Sequence, residues 1–354
     1  MYRSTIRGRG AVSNPEGRFE SMRRTVEDDG WTPLPTPAAP RTVVSPDAAR
    51  SVISTNDSPD VPFEQSVNPY RGCEHGCIYC YARPGHAWLG MSPGLDFETR
   101  ILFKAGAVER LRSELASPKY RCRPLAMGTY TDPYQPVEGR LEITRGILRL
   151  LQECRHPVSI VTKSALVERD LDILAPMAEA GLASVAVSVT TLDEELKRRM
   201  EPRAASPARR LKTLRRLARA GVPAGSLVAP VIPALNDHEI EAICEAVAEA
   251  GAGWADYVLL RLPLELQTLF RDWAEAHYPD RARRIMSLLR QARGGRDNDA
   301  RFGHRMRGSG PWASLLEQRF AVARRRYGLA GRGRGTLDTS RFRPPGPGGQ
   351  LALL

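Results

Sequence analysis

The sequence has no long hydrophobic run. Of its 354 residues 42% are hydrophobic, yet no segment approaches the roughly 18 consecutive apolar residues that a membrane-spanning helix requires. The first residues, MYRSTIRGRGAVSN, lack the apolar stretch of a secretory signal. We therefore expect a soluble protein that works in the cytoplasm and does not bind a membrane.

Lysine is scarce, because only five of the 52 basic residues are Lys and the net charge of +12 comes almost entirely from Arg. The charge is segregated: residues 196–220 carry ten basic residues and one acidic residue, residues 281–310 nine and two, and residues 321–354 seven and one. Such segments favour an anionic partner, for example nucleic acid. The alternative is a solvated helix face, since leucines in PARRLKTLRRLARAG form a helical stripe opposite the arginines.

Both ends of the chain lack periodic apolar segments. Residues 1–60 include WTPLPTPAAP, with four Pro in ten residues, and we expect a disordered Pro-rich N-terminal segment. Residues 329–354 are rich in Arg, Gly and Pro, and we expect a disordered tail. Between them the pattern predicts a core at 61–263 and a helical C-terminal extension at 264–328.

Six apolar runs in the core have strand character and alternate with helical stretches. They are QSVNPY, PLAMGTY, VSIVT, ASVAVSV, GSLVAPVIP and DYVLLRLP. Near-continuous apolar character is typical of strands that are buried on both faces. The alternation predicts parallel strands with right-handed crossovers, in a doubly wound sheet or a partial barrel. The chain has no Gly-rich dinucleotide fingerprint, which disfavours the doubly wound dinucleotide-binding fold.

Local signals mark several helix ends. Ser164 and Asp237 precede helical stretches and are predicted to cap them. Gly181, Gly221 and Gly251 follow helical stretches and are predicted to end them.

Three of the six cysteines form a cluster, RGCEHGCIYCYAR, that places Cys73, Cys77 and Cys80 directly after the first core strand. A single metal ion normally needs a fourth ligand, which His75 or His86 could supply in a Cys3His zinc site. Zinc cysteines usually come in two separated pairs, however, and the other three cysteines stand alone in the sequence. Three thiolates without a fourth protein ligand suit an iron–sulfur cluster in which one iron has no protein ligand.

The segment CEHGCIYCY resembles the signature of the radical S-adenosylmethionine (SAM) superfamily, including an aromatic residue just before the third Cys. The resemblance covers roughly residues 62–263 and implies a partial parallel (β/α)6 barrel, an α/β fold, with a helical C-terminal extension. Four further phrases are similar to the branch related to spore photoproduct lyase: TYTDPYQPVE, VTKS, VSVTTLDEELKRRMEPRA and APVIPALND.

The resemblance implies that Cys73, Cys77 and Cys80 bind a 4Fe–4S cluster. Its fourth iron has no protein ligand and would be chelated by SAM. Reductive cleavage of SAM would give a 5′-deoxyadenosyl radical that abstracts hydrogen from a substrate, with an electron donor such as flavodoxin or ferredoxin. The similarity to the branch related to spore photoproduct lyase and the basic segments favour a nucleic-acid substrate. The alternatives are a peptide or small metabolite, or a non-enzymatic iron–sulfur or zinc binding module.

The resemblance also implies positions that bind SAM. Tyr79 corresponds to the residue whose backbone meets the adenine. At the end of the second strand the family often has Gly-Gly-Glu, where this chain has GTYTD, so Thr131 or Asp132 would accept from the SAM ammonium. Asp132 precedes a proline and is equally suited to form a turn. Lys163, one of five Lys, directly follows the third strand, and its compact ammonium suits the SAM carboxylate.

Ser188 and Thr190 lie on the fourth strand, where relatives hydrogen-bond the ribose or carboxylate, and Arg203 follows in MEPRA. Spore photoproduct lyases use a hydrogen-donor Cys on the second strand, where this chain has Thr129 and Tyr130. The lyase reaction as such is therefore not expected. Tyr130 and Tyr134 are candidates for a radical relay, or for simple packing.

Overall fold

The computed structural model describes residues 5–19, 40–330 and 337–346. Its strands are β1 (Val43–Asp47), β2 (Ile53–Thr55), β3 (Gln65–Val67), β4 (Tyr70–Arg71), β5 (Arg100–Lys104), β6 (Leu125–Met127), β7 (Val158–Thr162), β8 (Ala183–Ser188), β9 (Ala224–Val231) and β10 (Ala255–Leu259). Its α-helices are α1 (Leu95–Thr99), α2 (Ala107–Leu115), α3 (Glu138–Leu141), α4 (Ile143–Glu153), α5 (Leu171–Glu179), α6 (Glu194–Met200), α7 (Pro207–Arg219), α8 (Ile240–Glu249), α9 (Leu266–His277), α10 (Pro279–Gln291) and α11 (Pro311–Arg326).

The main sheet has seven strands in the order β10-β9-β8-β7-β6-β3-β2. Six of these strands are parallel and lie side by side in chain order, namely β3, β6, β7, β8, β9 and β10, while β2 is antiparallel at one edge. Helices α4, α5, α7 and α8 lie in the connections between consecutive parallel strands. Each of the six predicted apolar runs contains one of these strands, so the predicted α/β fold is confirmed. Within the described ranges no pairing joins β10 to β2, and the sheet is open.

Burial explains the continuous apolar character of the strands. All six residues of β8 are buried, because helices cover one face of the sheet and the other face lies in the interior of the protein. The helix-end signals are mostly confirmed. Ser164 Oγ accepts from the Leu166 amide at 3.2 Å, and Gly181 has a φ of 75° after α5. The prediction for Asp237 is wrong, because it lies inside a 3-10 turn and α8 begins at Ile240 without a side-chain cap.

The predicted disorder of residues 1–60 is wrong for the part of that segment which the structure describes. β1 pairs with β5 in a second, three-stranded sheet, and β2 extends the main sheet. Ala11 is fully buried, and its amide donates to Glu98 Oε1 at 2.8 Å. These contacts are all distant in sequence, so local periodicity could not reveal them. Residues 1–4 and 20–39 lie outside the described residues.

The C-terminal extension is helical, as its pattern predicts, and consists of α9, α10 and α11. The predicted disorder of the tail is wrong for residues 337–346, which pack on the core. The Arg343 amide donates to the Cys154 carbonyl at 2.8 Å, and the Phe342 ring meets the His156 ring edge-on at 5.1 Å. Residues 331–336 and 347–354 lie outside the described residues. Among the helices that are described, none has both the length and the apolar character to span a membrane.

Candidate functional site

A cavity of about 520 Å³ lies at the carboxyl ends of the parallel strands. Open α/β sheets bind their ligands at this end, because the loops that follow the strands converge there. The ends of β6, β7, β8, β9 and β10 all contribute to the cavity wall. Cys73, Cys77 and Cys80 line the same cavity, so the fold brings the three predicted ligands together with the strand ends.

Two glycines and a buried arginine set the shape of the cysteine loop. Gly72 and Gly76 have φ values of 77° and 67°, and a Cβ on Gly76 would lie 2.7 Å from Glu98 Oε2. Arg83 is fully buried and donates to the carbonyls of Gly76 at 3.1 Å and Cys77 at 2.8 Å. Its guanidinium also pairs with Glu98 at 2.5 Å. The loop is therefore fixed from behind, and the thiols line the cavity.

The three thiols fit a cationic centre. Burial raises the pKa of all three thiols, that of Cys77 to about 12, so isolated thiolates would be unfavourable here. A bound metal centre supplies positive charge that holds thiols in the deprotonated form. Lys163 and Arg210 add favourable charge near Cys77. The donor set thus suits an iron–sulfur cluster.

The two predicted fourth ligands for zinc have other partners. His86 Nε2 lies 3.0 Å from the Arg100 carbonyl oxygen, and His86 does not line the cavity. His75 lines the cavity, but its Nδ1 lies 3.3 Å from Asp132 Oδ2. Among the described residues, no three His, Cys, Asp or Glu side chains converge on a point where one metal ion would sit. In a cluster the thiolates bind different iron atoms, so they need not converge in this way.

Asp132 connects three parts of the site. Its Oδ1 accepts from Thr162 Oγ1 at 2.7 Å and from the Tyr134 amide at 2.9 Å. Its Oδ2 accepts from the Lys163 amide at 2.7 Å and faces His75. Although burial raises the pKa of Asp132, His75 and these hydrogen bonds lower it to about 2. Asp132 lines the cavity as predicted, but both oxygens already have protein partners, which favours the turn-forming interpretation over an ammonium ligand.

Lys163 and Tyr79 meet in the cavity wall. Lys163 Nζ lies 5.7 Å from the centroid of the Tyr79 ring, and both residues line the cavity. Behind them the Tyr79 hydroxyl donates to the fully buried Glu201, which also accepts from Thr190 at 2.8 Å and pairs with Arg210. Although burial raises the pKa of Glu201, Arg210 and Lys163 lower it to about 2. This charged network holds the Tyr79 ring from behind.

The other predicted SAM-binding residues divide into two groups. Ser188 and Thr131 line the cavity, and the Thr131 hydroxyl donates to the Tyr70 carbonyl at 2.9 Å. Thr190 and Arg203 are not part of the cavity wall. Thr190 is buried in the Glu201 network, and Arg203 pairs at 2.8 Å with Glu74, so a direct contact with SAM is not supported for either residue.

The two tyrosines proposed for a radical relay lie in different surroundings. Tyr130 lines the cavity, is 38% exposed, and its hydroxyl fills the space left by the missing side chain of Gly85. Tyr134 is fully buried in the main core and is not part of the cavity wall. The prediction of a relay role at Tyr134 is therefore not supported, because the ring packs with core residues behind the Asp132 turn.

Sequence reasoning missed the outer wall of the cavity. The loop after α10 contributes Arg305, Met306 and Arg307, and the segment before β3 contributes residues 60–63. Arg305 pairs with Asp60 at 2.7 Å, which joins the two segments across the cavity. The basic character of residues 281–310 was visible in the sequence, but not its position beside the cysteines.

A comparison with known families matches residues 67–247 to the radical SAM superfamily. The chain belongs to the radical SAM superfamily. It is 38% identical over 233 residues to an uncharacterised protein of Mycobacterium tuberculosis (strain H37Rv), covering 65% of this chain and 68% of the relative. It is 27% identical over 214 residues to an uncharacterised protein of Methanocaldococcus jannaschii, covering 60% and 76%.

Among solved structures, this radical SAM chain is similar to spore photoproduct lyase complexed with dinucleoside spore photoproduct. The TM-score is 0.57 and the identity 16%, over 80% of this chain and 79% of the lyase. A lyase variant with bound AdoMet and dinucleoside spore photoproduct gives 0.56 at 16% identity, over 81% and 79%. At this identity the similarity shows the fold alone. Superfamily membership implies a 4Fe–4S cluster and SAM, and members of the superfamily are enzymes.

Proposed function

We propose that this radical SAM protein is an enzyme that cleaves SAM reductively and abstracts hydrogen from a substrate held in the 520 Å³ cavity. One observation carries the proposal: the three thiols, Tyr79 and Lys163 line one cavity at the carboxyl ends of the parallel strands. Cys73, Cys77 and Cys80 would hold the cluster, which supplies the electron that cleaves SAM to methionine and a 5′-deoxyadenosyl radical.

The chain's own residues bind and orient SAM in this proposal. The Lys163 ammonium would bind the SAM carboxylate, since it enters the cavity and forms no ion pair among the described residues. Tyr79, held through Glu201, would support the adenine with its backbone, and Ser188 would hydrogen-bond SAM at the end of β8. The enclosing walls exclude water from the reacting atoms.

The proposal includes a reducing compartment and an external electron donor. All six cysteines are free thiols, which suits the cytoplasm. A flavodoxin or ferredoxin would supply the electron. A non-enzymatic binding module is disfavoured, because a structural cluster normally has four protein ligands and the motif supplies three.

The test is a SAM-cleavage assay on anaerobically purified protein. We expect about four irons per chain and formation of 5′-deoxyadenosine on reduction, both lost in Cys77→Ala. The matched control, Cys122→Ala, removes a half-buried thiol outside the cavity and should retain both. Iron binding without SAM cleavage in the parent would leave only the binding-module interpretation, and bound zinc in place of iron would contradict the cluster.

We further propose nucleic acid as the substrate class, in preference to a peptide or small metabolite. Within residues 196–220, five of the ten basic residues pair with carboxylates, so this segment offers less free charge than its composition indicates: Arg199, Arg203, Arg209, Arg210 and Arg216. The outer wall of the cavity supports the proposal instead, because Arg261 forms no ion pair among the described residues there and lies beside the Tyr81 ring, and sites for single-stranded nucleic acid combine arginine with aromatic rings in this way.

A single-stranded oligonucleotide tests this class. Its affinity for the protein should fall steeply between 50 and 200 mM salt, the range over which several phosphate contacts reduce binding by orders of magnitude. A flat salt response, or no binding at low salt, would remove nucleic acid as the substrate and favour a peptide or metabolite.

A further inference from the structure

Three arginines line the outer wall of the cavity, and two of them have carboxylate partners. Arg305 pairs with Asp60 at 2.7 Å, and Arg307 pairs with Asp256 at 2.6 Å. These two guanidiniums are therefore neutralised within the protein.

Arg261 differs from both. Within the described ranges it forms no ion pair, and its Nε is buried without a hydrogen-bond partner. Its Nη1 lies 3.6 Å from Met306 Sδ, a weak acceptor. Burial and the charge of Arg305 lower the pKa of Arg261, and the charge of Asp60, whose carboxylate pairs with Arg305, opposes them only in part. A partly buried cation without an ion-pair partner is unfavourable, and an anionic ligand would relieve that cost.

Hydrogen bonds from Arg293 hold the backbone on both sides of Arg261. Arg293 is 1% exposed and donates four hydrogen bonds to backbone carbonyls, two at the end of β10 (Leu259 and Leu260) and two on the 304–305 loop. It thereby fixes this loop against the end of β10. Arg293 also forms no ion pair with a carboxylate among the described residues, so it adds positive charge near Arg261.

A flat aromatic ring lies directly beside the unpaired guanidinium. The Arg261 guanidinium carbon lies 5.4 Å from the centroid of the Tyr81 ring. Tyr81 lines the cavity and is 45% exposed, so part of its ring is free to contact a ligand. A planar, forked cation that matches phosphate oxygens, next to an exposed ring, is suited to a ligand with a phosphate and a flat base.

We infer that Arg261 binds a phosphate group of the substrate, and that the substrate is a nucleotide or a nucleotide unit within nucleic acid. The inference rests on the proposed function, because it places this group in the cavity that the reaction uses. Arg261 would thus determine specificity by accepting substrates that carry a phosphate in this position and rejecting the corresponding nucleosides.

The test is equilibrium binding of cytidine 5′-monophosphate, cytidine, inorganic phosphate and the dipeptide Glu-Glu, measured by calorimetry at low salt on the parent protein. A pyrimidine nucleotide is used so that the probe does not resemble the adenosine of SAM. We expect the monophosphate to bind at least about tenfold more tightly than cytidine, since hydrogen bonds to a charged group are stronger than those between neutral groups.

Arg261→Gln should lower the affinity for the monophosphate about 10- to 100-fold, as expected for the loss of a charge-assisted contact. The matched control is Arg215→Gln, which removes the same charge from an exposed position on α7. If thermal unfolding shows that Arg261→Gln folds poorly, Arg261→Lys is the second variant. It keeps the charge without the forked guanidinium and should show an intermediate loss of affinity for the monophosphate. Equal affinity in Arg261→Gln and Arg215→Gln would overturn the inference. Dependence of Glu-Glu binding, but not monophosphate binding, on Arg261 would also overturn it and indicate an acidic peptide.

SAM cleavage by the parent, measured on the same preparation, separates the two proposals. Phosphate recognition that depends on Arg261, in a parent that binds iron but does not cleave SAM, would contradict the proposed function and leave the anion site standing. SAM cleavage by the parent without phosphate recognition would support the proposed function and contradict this inference.

Discussion

At the scale of single residues, Lys163 combines a fixed backbone with an unpaired side chain. Its amide donates to Asp132 Oδ2 at 2.7 Å, and its carbonyl accepts from the Ala205 amide at 3.3 Å. The ammonium extends over the Tyr79 ring and has no carboxylate within ion-pair distance in the described part of the chain. A cation that is held at its base and free at its tip is well placed to bind a carboxylate ligand.

Replacing Lys163 with Gln should therefore weaken SAM binding. We expect the Kd for SAM to rise about 10- to 100-fold, the effect of losing one charge-assisted hydrogen bond, with iron content unchanged. Equilibrium dialysis of SAM against the iron-containing protein measures this Kd. Lys119→Gln, at an exposed position, should bind SAM as the parent does. An unchanged Kd in the Lys163 variant would contradict the assignment.

At the scale of elements, the N-terminal segment supports the cysteine loop directly. The amides of Gly10 and Ala11 donate to the two oxygens of Glu98, the carboxylate that pairs with the buried Arg83. Gly10 approaches the loop so closely that a Cβ there would lie 1.9 Å from the Gly76 carbonyl oxygen. A segment far from the cysteines in sequence is thus part of the layer behind them.

Gly10→Ala should therefore displace this segment and loosen the loop. Because the clash is with backbone, we expect a loss of about 1–3 kcal/mol in the free energy of unfolding and a lower iron content after reconstitution. Urea unfolding and iron analysis measure the two effects. Gly139→Ala is the matched control, since the nearest atom to its Cβ is a side-chain carbon at 4.0 Å. Equal behaviour of the two variants would show that the segment does not support the loop.

At the scale of the whole molecule, the C-terminal tail closes over a buried histidine. His156 is fully buried and contacts Tyr120 and the tail residue Phe342. Its Nδ1 donates to the Pro157 carbonyl at 3.0 Å, and its Nε2 lies 2.7 Å from the Tyr120 hydroxyl oxygen. Burial lowers the pKa of His156 from 6.5 to about 4, so the folded protein keeps this side chain neutral.

This difference predicts a loss of stability on acidification. Because the folded pKa lies below the unfolded one, the unfolded chain takes up the proton first, and stability that is complete above pH 6.5 falls as the pH approaches 4. The contribution of His156 to the free energy of unfolding should fall by about 2–3 kcal/mol between pH 7 and pH 4.5. Urea unfolding at both pH values measures it.

His156→Gln should be less stable than the parent at pH 7 and should lose less stability on acidification. His238→Gln, at an exposed site in the connection between β9 and α8, should behave as the parent does. A parent and a His156 variant that lose stability in parallel would contradict the prediction.

The sequence predicted the fold, and several of the site residues that it proposed line one cavity, but it gave no indication of the outer wall of that cavity. Cys73, Cys77 and Cys80 were recognisable from their spacing, and Lys163 from its position directly after a strand-like run, since the ends of parallel strands meet at one edge of the sheet. Tyr134, for which the sequence left both a radical relay and simple packing open, is buried in the core, while Asp132 two residues earlier lines the cavity. Side chains two residues apart in a turn can face different sides, and sequence spacing does not record it.

The pattern of apolar runs was sufficient for the architecture, and the spacing of three cysteines was sufficient for the superfamily, because both depend on local features of the sequence. The arginine wall and the support behind the cysteine loop depend instead on contacts between distant segments. Arg261 is one of 47 arginines in the sequence, and nothing in its flanking residues distinguishes it. Its importance comes from folding, which gives Arg305 and Arg307 carboxylate partners, leaves Arg261 without one, and places all three beside the same cavity.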